Sequence, residues 1–179
     1  MSFLRAKIRK NDMHVIIFVL WGMGMAVELE ARQKIIDEYQ QAVKPLMTFM
    51  PWLEQHSGKE SYTVYGGEGI KEHSLSFPVY DGTLMNFVRQ AAKTSLMDRN
   101  YRYVYTRNHL RNHEDERKAI QNATQKEWGI LKGILSNYVM GGQVKGVLWS
   151  EAVREDIFYL VLLQMKKIVD QWGPYADNE

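Results

Sequence analysis

The chain has no cysteine. Disulfides, thiolate nucleophiles and zinc sites built on thiolates are therefore excluded. No run of apolar residues reaches the roughly 20 positions that a bilayer-spanning helix needs, and no membrane span is expected in residues 25–179. Low-complexity tracts, internal repeats and Pro/Ser linkers are missing as well, and proline occurs only four times. A serine or cysteine elbow, a dinucleotide fingerprint and closely spaced metal ligands are absent, so neither a catalytic residue nor a cofactor is assigned. The 179 residues, 45% hydrophobic and 25% charged, suit one soluble globular domain with a sizeable core.

The net charge of +2 is unevenly spread. Arg5, Lys7, Arg9 and Lys10 against Asp12 give residues 1–24 a charge of +3, which leaves −1 for the rest. A basic balance thus belongs to the N-terminal segment. That segment reads as an extension, a mis-assigned start upstream of Met25, or a signal-like stretch in which Val15–Trp21 precedes Gly24-Met25-Ala26. Val15–Trp21 is also β-branched enough for a buried strand.

Periodicity predicts a helix over Ala26–Thr48, kinked or ended at Pro45, with a second break at Pro51 before a core-anchoring Trp52. His56-Ser57-Gly58-Lys59 is turn chemistry. Alternation in Ser61–Tyr65 and Leu75–Val79 around Gly66-Gly67-Glu68-Gly69 predicts a hairpin. These glycines lack the Lys-Ser/Thr pair and the following helix that a phosphate cradle requires. Asp81 caps a helix over Gly82–Met97 whose inward stripe is Leu84, Phe87, Val88, Ala91, Ala92 and Ser95.

A long helix is expected from an Asn112 cap, with Glu114, Asp115 and Glu116 in its first turn and a stripe from Ile120 through Ala123 and Trp128 to Tyr138. Gly141-Gly142 ends it. Ser150 then caps a last helix, Glu151–Trp172. Phe158, Val161, Leu162, Met165, Ile168, Val169 and Trp172 form one face of it, and Ile157, Leu160 and Leu163 make a second apolar side. The fold expected is mainly α (α+β), a helical bundle-like single domain over residues 25–173 with a small β-hairpin near residues 61–79. Residues 174–179 are a frayed tail.

Residues 99–113 hold the candidate site. Arg99, Arg102, Arg107 and Arg111 interleave with Tyr101, Tyr103, Tyr105 and His109, and no acid intervenes. Arginine grips phosphate through its planar fork and tyrosine offers a stacking face to bases, so these residues with Lys145 are candidates for binding DNA or RNA. The plainer reading, favoured by the −1 of the domain, is a strand with one buried tyrosine face whose arginines pair with Glu114, Asp115 and Glu116. His109 and His113, four apart, would share one helical turn as metal ligands do. With no glutamate between them in the H-E-x-x-H manner and no evident third ligand, two solvated histidines are expected and no metal.

Phe77-Pro78-Val79-Tyr80, Tyr101-x-Tyr103, and above all Tyr138-Val139 followed by Gly142, Lys145-Gly146, Trp149, Glu151-Ala152-Val153 and Ile157-Phe158 carry a resemblance. Over roughly residues 35–172 the chain resembles an uncharacterised family of small bacterial proteins, a domain of unknown function. The resemblance implies a bacterial intracellular protein, assigns no reaction, and favours Met25 as the start.

The expectation is a non-catalytic bacterial binding or assembly module, cytoplasmic, with a homo-oligomer surface on Glu151–Trp172. Its motive is the second apolar side of that helix. Nucleic-acid association through the Arg/Tyr stretch is the alternative. A small-ligand or hydrolytic site near His109 and His113, paired with Glu151 or Glu155, is a third. Residues 1–26, read as a signal peptide, would make the protein exported.

Overall fold

Two prolines steer the first helical stretch without stopping it. The computed structural model describes residues 27–65 and 77–172. The readings placed on residues 1–26, on the Gly66–Gly69 loop, on Leu75 and Ser76 and on residues 173–179 lie outside these. By contacts the chain divides into two compact units, Met1–Lys34 and Ile35–Glu179. Of the first, residues 27–34 are helical, and Arg32 lies 3.6 Å from Glu28 one turn away.

From residue 35 the backbone stays helical to Gln55, but its register changes repeatedly. A π turn at Tyr39–Val43 leads to an α turn at Lys44–Leu46, a 3-10 turn at Met47–Phe49, and α1 (Met50–Gln55). Pro45 and Pro51 each fall in the first turn of an α segment, where the missing N–H costs nothing. The expected breaks are therefore changes of pitch. Trp52 is only half-buried, stacked on the His56 ring at 4.1 Å, while its neighbour Leu53 enters the core.

β1 (Tyr62–Tyr65) and β2 (Phe77–Tyr80) pair antiparallel in the register Tyr62↔Tyr80 and Thr63↔Val79, which is the hairpin the alternation predicts. Asp81 caps α2 (Gly82–Ala91), its Oδ1 taking the Thr83 amide at 2.6 Å. This helix is shorter than expected. The Thr94 hydroxyl claims the Ala91 carbonyl at 2.7 Å, the chain turns, and Leu96 rather than Ser95 is buried.

The stretch expected as a strand is a helix, α3 (Tyr101–Arg107). Tyr101, Val104, Tyr105 and Asn108 recur at three and four, and that period decides over the spacing of two. α4 (His113–Asn122) has the Asn112 cap as expected, Oδ1 accepting the Asp115 amide at 2.9 Å. The long helix then breaks. Ala123 is extended, and Thr124 with Glu127 forms a reciprocal capping box over a 3-10 turn that opens α5 (Trp128–Gly141). The final helix is also two: α6 (Val147–Arg154) and α7 (Ile157–Asp170), separated by Asp156 at φ 61°. Ser150 lies inside α6 and does not cap it.

The chain is thus mainly α with one small two-stranded sheet. At its centre is α7, which meets α1, α4, α5, α6 and the π turn. Ile157, Phe158, Val161, Leu162, Met165, Ile168 and Val169 are buried, and Tyr159 and Leu160 pack partly buried against the same core. Each fully buried side chain of this kind contributes about 1.5–3 kcal/mol. The face from Phe158 to Val169 is thus covered by the chain's own elements, whereas on the second apolar side Ile157 is buried and Leu160 and Leu163 are only partly so. Among the described residues no helix is long and apolar enough to cross a membrane.

Candidate functional site

A short helix packed on a longer one must present one side inward and one outward. α3 lies against α5 so closely that a Cβ on Gly133 would stand 2.6 Å from Val104 Cγ1. Val104, Tyr105 and Asn108 are on the inward side. The turn before α3 and its outward side carry Arg99, Arg102, Tyr103 and Arg107, all exposed, with Tyr103 at 65%.

The inward side ends in a closed polar network. Glu116, 3% exposed, sits one turn into α4. Its Oε1 accepts the Tyr105 hydroxyl at 2.5 Å, and its Oε2 accepts the Tyr138 hydroxyl at 2.8 Å and His113 Nδ1 at 3.1 Å. Asn137 Nδ2 donates to the Tyr105 oxygen at 3.1 Å. The far nitrogen of His113 reaches Glu151 Oε1 on α6 at 2.9 Å. Four helices, α3 to α6, thus meet on one carboxylate and one imidazole.

The electrostatics follow from this geometry. Burial works against the charge on His113, but the hydrogen bonds to Glu116 and Glu151 and their negative charge outweigh it, so its pKa stands above the ordinary value. Burial first, then the Glu116 charge, push both tyrosine hydroxyls well above the usual range, so they act as neutral donors. Both ring nitrogens of His113 are spoken for. The arrangement has no free nitrogen to accept a substrate proton, and its physical effect is to clamp helices.

A second ionic chain lies beside it. Arg117 donates to Glu155 Oε2 at 2.9 Å and to the Glu155 carbonyl at 3.2 Å, which holds the Glu155 pKa down. Arg154 reaches Glu60 at 2.7 Å, and Ser150 donates to the same carboxylate at 3.0 Å, so Glu60 is also held below the carboxylate range.

None of the acids expected to neutralise the arginines forms an ion pair with one of them. Glu114 pairs with Lys118 at 2.6 Å, Asp115 accepts the backbone amide of Arg111 at 3.0 Å, and Glu116 belongs to the tyrosines and His113. Among the described residues Arg99, Arg102, Arg107 and Arg111 form no ion pair. The guanidinium of Arg102 lies 5.9 Å from the centroid of the Tyr101 ring. Lys145, also exposed, follows one turn after Gly141, itself beside the Tyr101 hydroxyl, so it lies toward the same end of α3.

The three tyrosines separate. Tyr103 is open to solvent, Tyr101 is half-buried against the end of α5, and Tyr105 is committed to Glu116. His109 and His113 do not share a helical turn. His109, exposed at φ 55°, lies just past the end of α3, and Asn112 is extended before His113 begins α4. No group of three or more metal-ligating side chains occurs among the described residues. His113 does meet Glu151, which spacing alone does not bring together, whereas Glu155 belongs to Arg117. The sequence suggests Glu116 as a first-turn acid and a partner for the arginines, and not as the acceptor shared by two tyrosines and His113. The signal that would have found its role is the helical stripe Tyr101-Val104-Tyr105-Asn108, which aims Tyr105 inward. No family model, curated protein or solved structure matches the chain.

Proposed function

We propose that this is a nucleic-acid-associated protein that engages phosphates through the outward side of α3 and its flanks. The observation that supports it is four exposed arginines within thirteen residues, none of them in an ion pair among the described residues. An uncompensated guanidinium group can neutralise a phosphate and release the cation condensed on the polyanion there. Tyr103 stands among them with its ring in solvent, positioned to stack on a base. Lys145 extends the cationic surface beyond the end of α5. The −1 of the domain is no obstacle, because Glu116 is turned to the inward side of α3 and Glu114, Glu60 and Glu155 are paired with Lys118, Arg154 and Arg117. Such a partner is consistent with a cytoplasmic, bacterial protein.

A homo-oligomer through Glu151–Trp172 is a second reading, supported by Leu160 and Leu163, which the chain's own elements leave partly exposed. The hydrolytic reading is weakened, because both nitrogens of His113 are occupied.

Fluorescence anisotropy with labelled single strands and duplexes tests the proposal. Binding at low salt should weaken with a log–log slope no steeper than about −4, the limit for four to five phosphate contacts. The combined Arg99→Gln, Arg102→Gln, Arg107→Gln and Arg111→Gln variant should lose about ten-fold or more in affinity at low salt. Absence of binding at low salt, or equal binding by that variant, would overturn the proposal.

A further inference from the structure

The base of the hairpin carries a second surface unrelated to α3. A groove of about 260 Å³ lies where β1 and β2 join α1 and α2. His56, Glu60, Ser61, Tyr62, Tyr80 and Asp81 form most of its wall. The cross-strand pair Tyr62 and Tyr80 places two rings there, 5.9 Å apart and tilted by 50°.

Its hydrogen-bonding capacity is one-sided. The Trp52 carbonyl is an acceptor only, so His56 Nδ1, 2.8 Å from it, is the donor there, and His56 Nε2 has no partner among the described residues. Asp81 uses Oδ1 for the amides of Thr83 and Leu84, while Oδ2 accepts nothing and the carboxylate has no cationic partner among the described residues. Ser61 is 4% exposed, and its hydroxyl is buried without a hydrogen-bond partner among the described residues. Native structures seldom leave such a group unmatched. Glu60 is already neutralised by Arg154. The lining residues include no lysine or arginine, so no side chain in the wall pairs with Asp81.

We propose that this groove binds an alkylguanidinium group, presented by a free small molecule or by an arginine side chain of a peptide. A guanidinium has five N–H donors and no acceptor, which is the complement of free Asp81 Oδ2, His56 Nε2 and Ser61 Oγ. Its plane and charge suit the faces of Tyr62 and Tyr80. An anion would face the unpaired carboxylate, and a neutral ligand would leave it uncompensated.

NMR titration of the full chain with ethylguanidinium, with a Gly-Arg-Gly peptide, and with N-ethylurea as an uncharged isostere tests this. The two cations should shift the Tyr62 and His56 signals saturably and N-ethylurea should not; the tighter of the two names the source. Asp81→Asn retains a good helix cap and should weaken cation binding about ten-fold. Ser61→Ala should leave the melting temperature of the free protein unchanged or higher, because the hydroxyl it removes has no partner. The proposal is overturned if neither cation shifts these signals, if N-ethylurea binds equally, or if Asp81→Asn binds as well as the parent. A Ser61→Ala variant that melts lower would equally sink it, by showing that the hydroxyl is already matched.

Discussion

The two sides of α3 use the same residue types to opposite ends. On the inward side Tyr105 gives its hydroxyl to a carboxylate that is 3% exposed, and every charge nearby has a partner. On the outward side Tyr103 is 65% exposed, and the arginines around it form no ion pair among the described residues. Seven residues of one helix separate a clamp from a free cationic surface. Matched charge in the interior indicates what the fold needs. Unmatched charge on the surface indicates what folding leaves available. If this contrast is real, stability and polyanion binding should respond to different substitutions.

The strongest test on stability is Glu116. Glu116→Ala leaves the hydroxyls of Tyr105 and Tyr138 and one nitrogen of His113 without their acceptor, and should cost about 3–5 kcal/mol in urea unfolding. Glu116→Gln keeps the shape and one acceptor oxygen, and should cost less, about 1–3 kcal/mol. Where the variants still fold, affinity for nucleic acid should be preserved. A loss below about 1 kcal/mol for the alanine variant would mean that the clamp does not hold the four helices, and the contrast would fail on its inward side.

Next in size is the contact on which the inward side of α3 rests. Gly133→Ala puts a Cβ 2.6 Å from Val104 Cγ1, and should destabilise by about 1–3 kcal/mol, partly offset by alanine's better helix propensity. Val104→Ala should relieve the clash. The double variant is then expected to be more stable than the sum of the single effects, as a double-mutant cycle reads it. Strict additivity would show that the helices shift apart freely.

Much of this architecture was legible in the residues, and the failures have physical causes. The existence of the hairpin, the Asp81 and Asn112 caps and the apolar stripe of α7 are local signals that tertiary packing reinforces. Thr124-Gln125-Lys126-Glu127 is a capping box in plain sight, but the apolar stripe running across it from Ile120 to Leu131 hid the break. In Tyr101–Tyr105 two periods compete within five residues, and contact with α5 selects the helical one. The candidate site divided the same way. Which arginines are exposed could be guessed from composition. Whether Glu114, Asp115 and Glu116 neutralise them could not, because that depends on where α5 and α6 place Tyr138 and Glu151, far along the chain.

A smaller effect follows from His113. Its pKa is raised in the folded chain, so the stability that its charge contributes is fully present below the ordinary value of 6.5 and is lost as pH rises through the folded value. The contribution is about 1.4 kcal/mol for each unit by which folded exceeds unfolded. His113→Gln should therefore be less stable than the parent in mild acid, and the gap should narrow as pH rises through and above neutrality. A gap that widens with pH would mean that burial dominates and the ring is held neutral between the two carboxylates.

The smallest effect on stability belongs to the outward side, and its sign is informative. Four uncompensated arginines repel one another, so each Arg→Gln change at positions 99, 102, 107 or 111 should shift unfolding by no more than about 0.5 kcal/mol. The combined variant should be as stable as the parent or slightly more so at low salt. Glutamine keeps the helix propensity and much of the stem, so loss of charge is the main change. Salt should close the difference, since screening shortens to about 10 Å at 0.1 M. If the combined variant instead loses more than about 1 kcal/mol, the arginines have partners in solution. The outward side would then be as closed as the inward one, and the basis for polyanion binding at α3 would be gone.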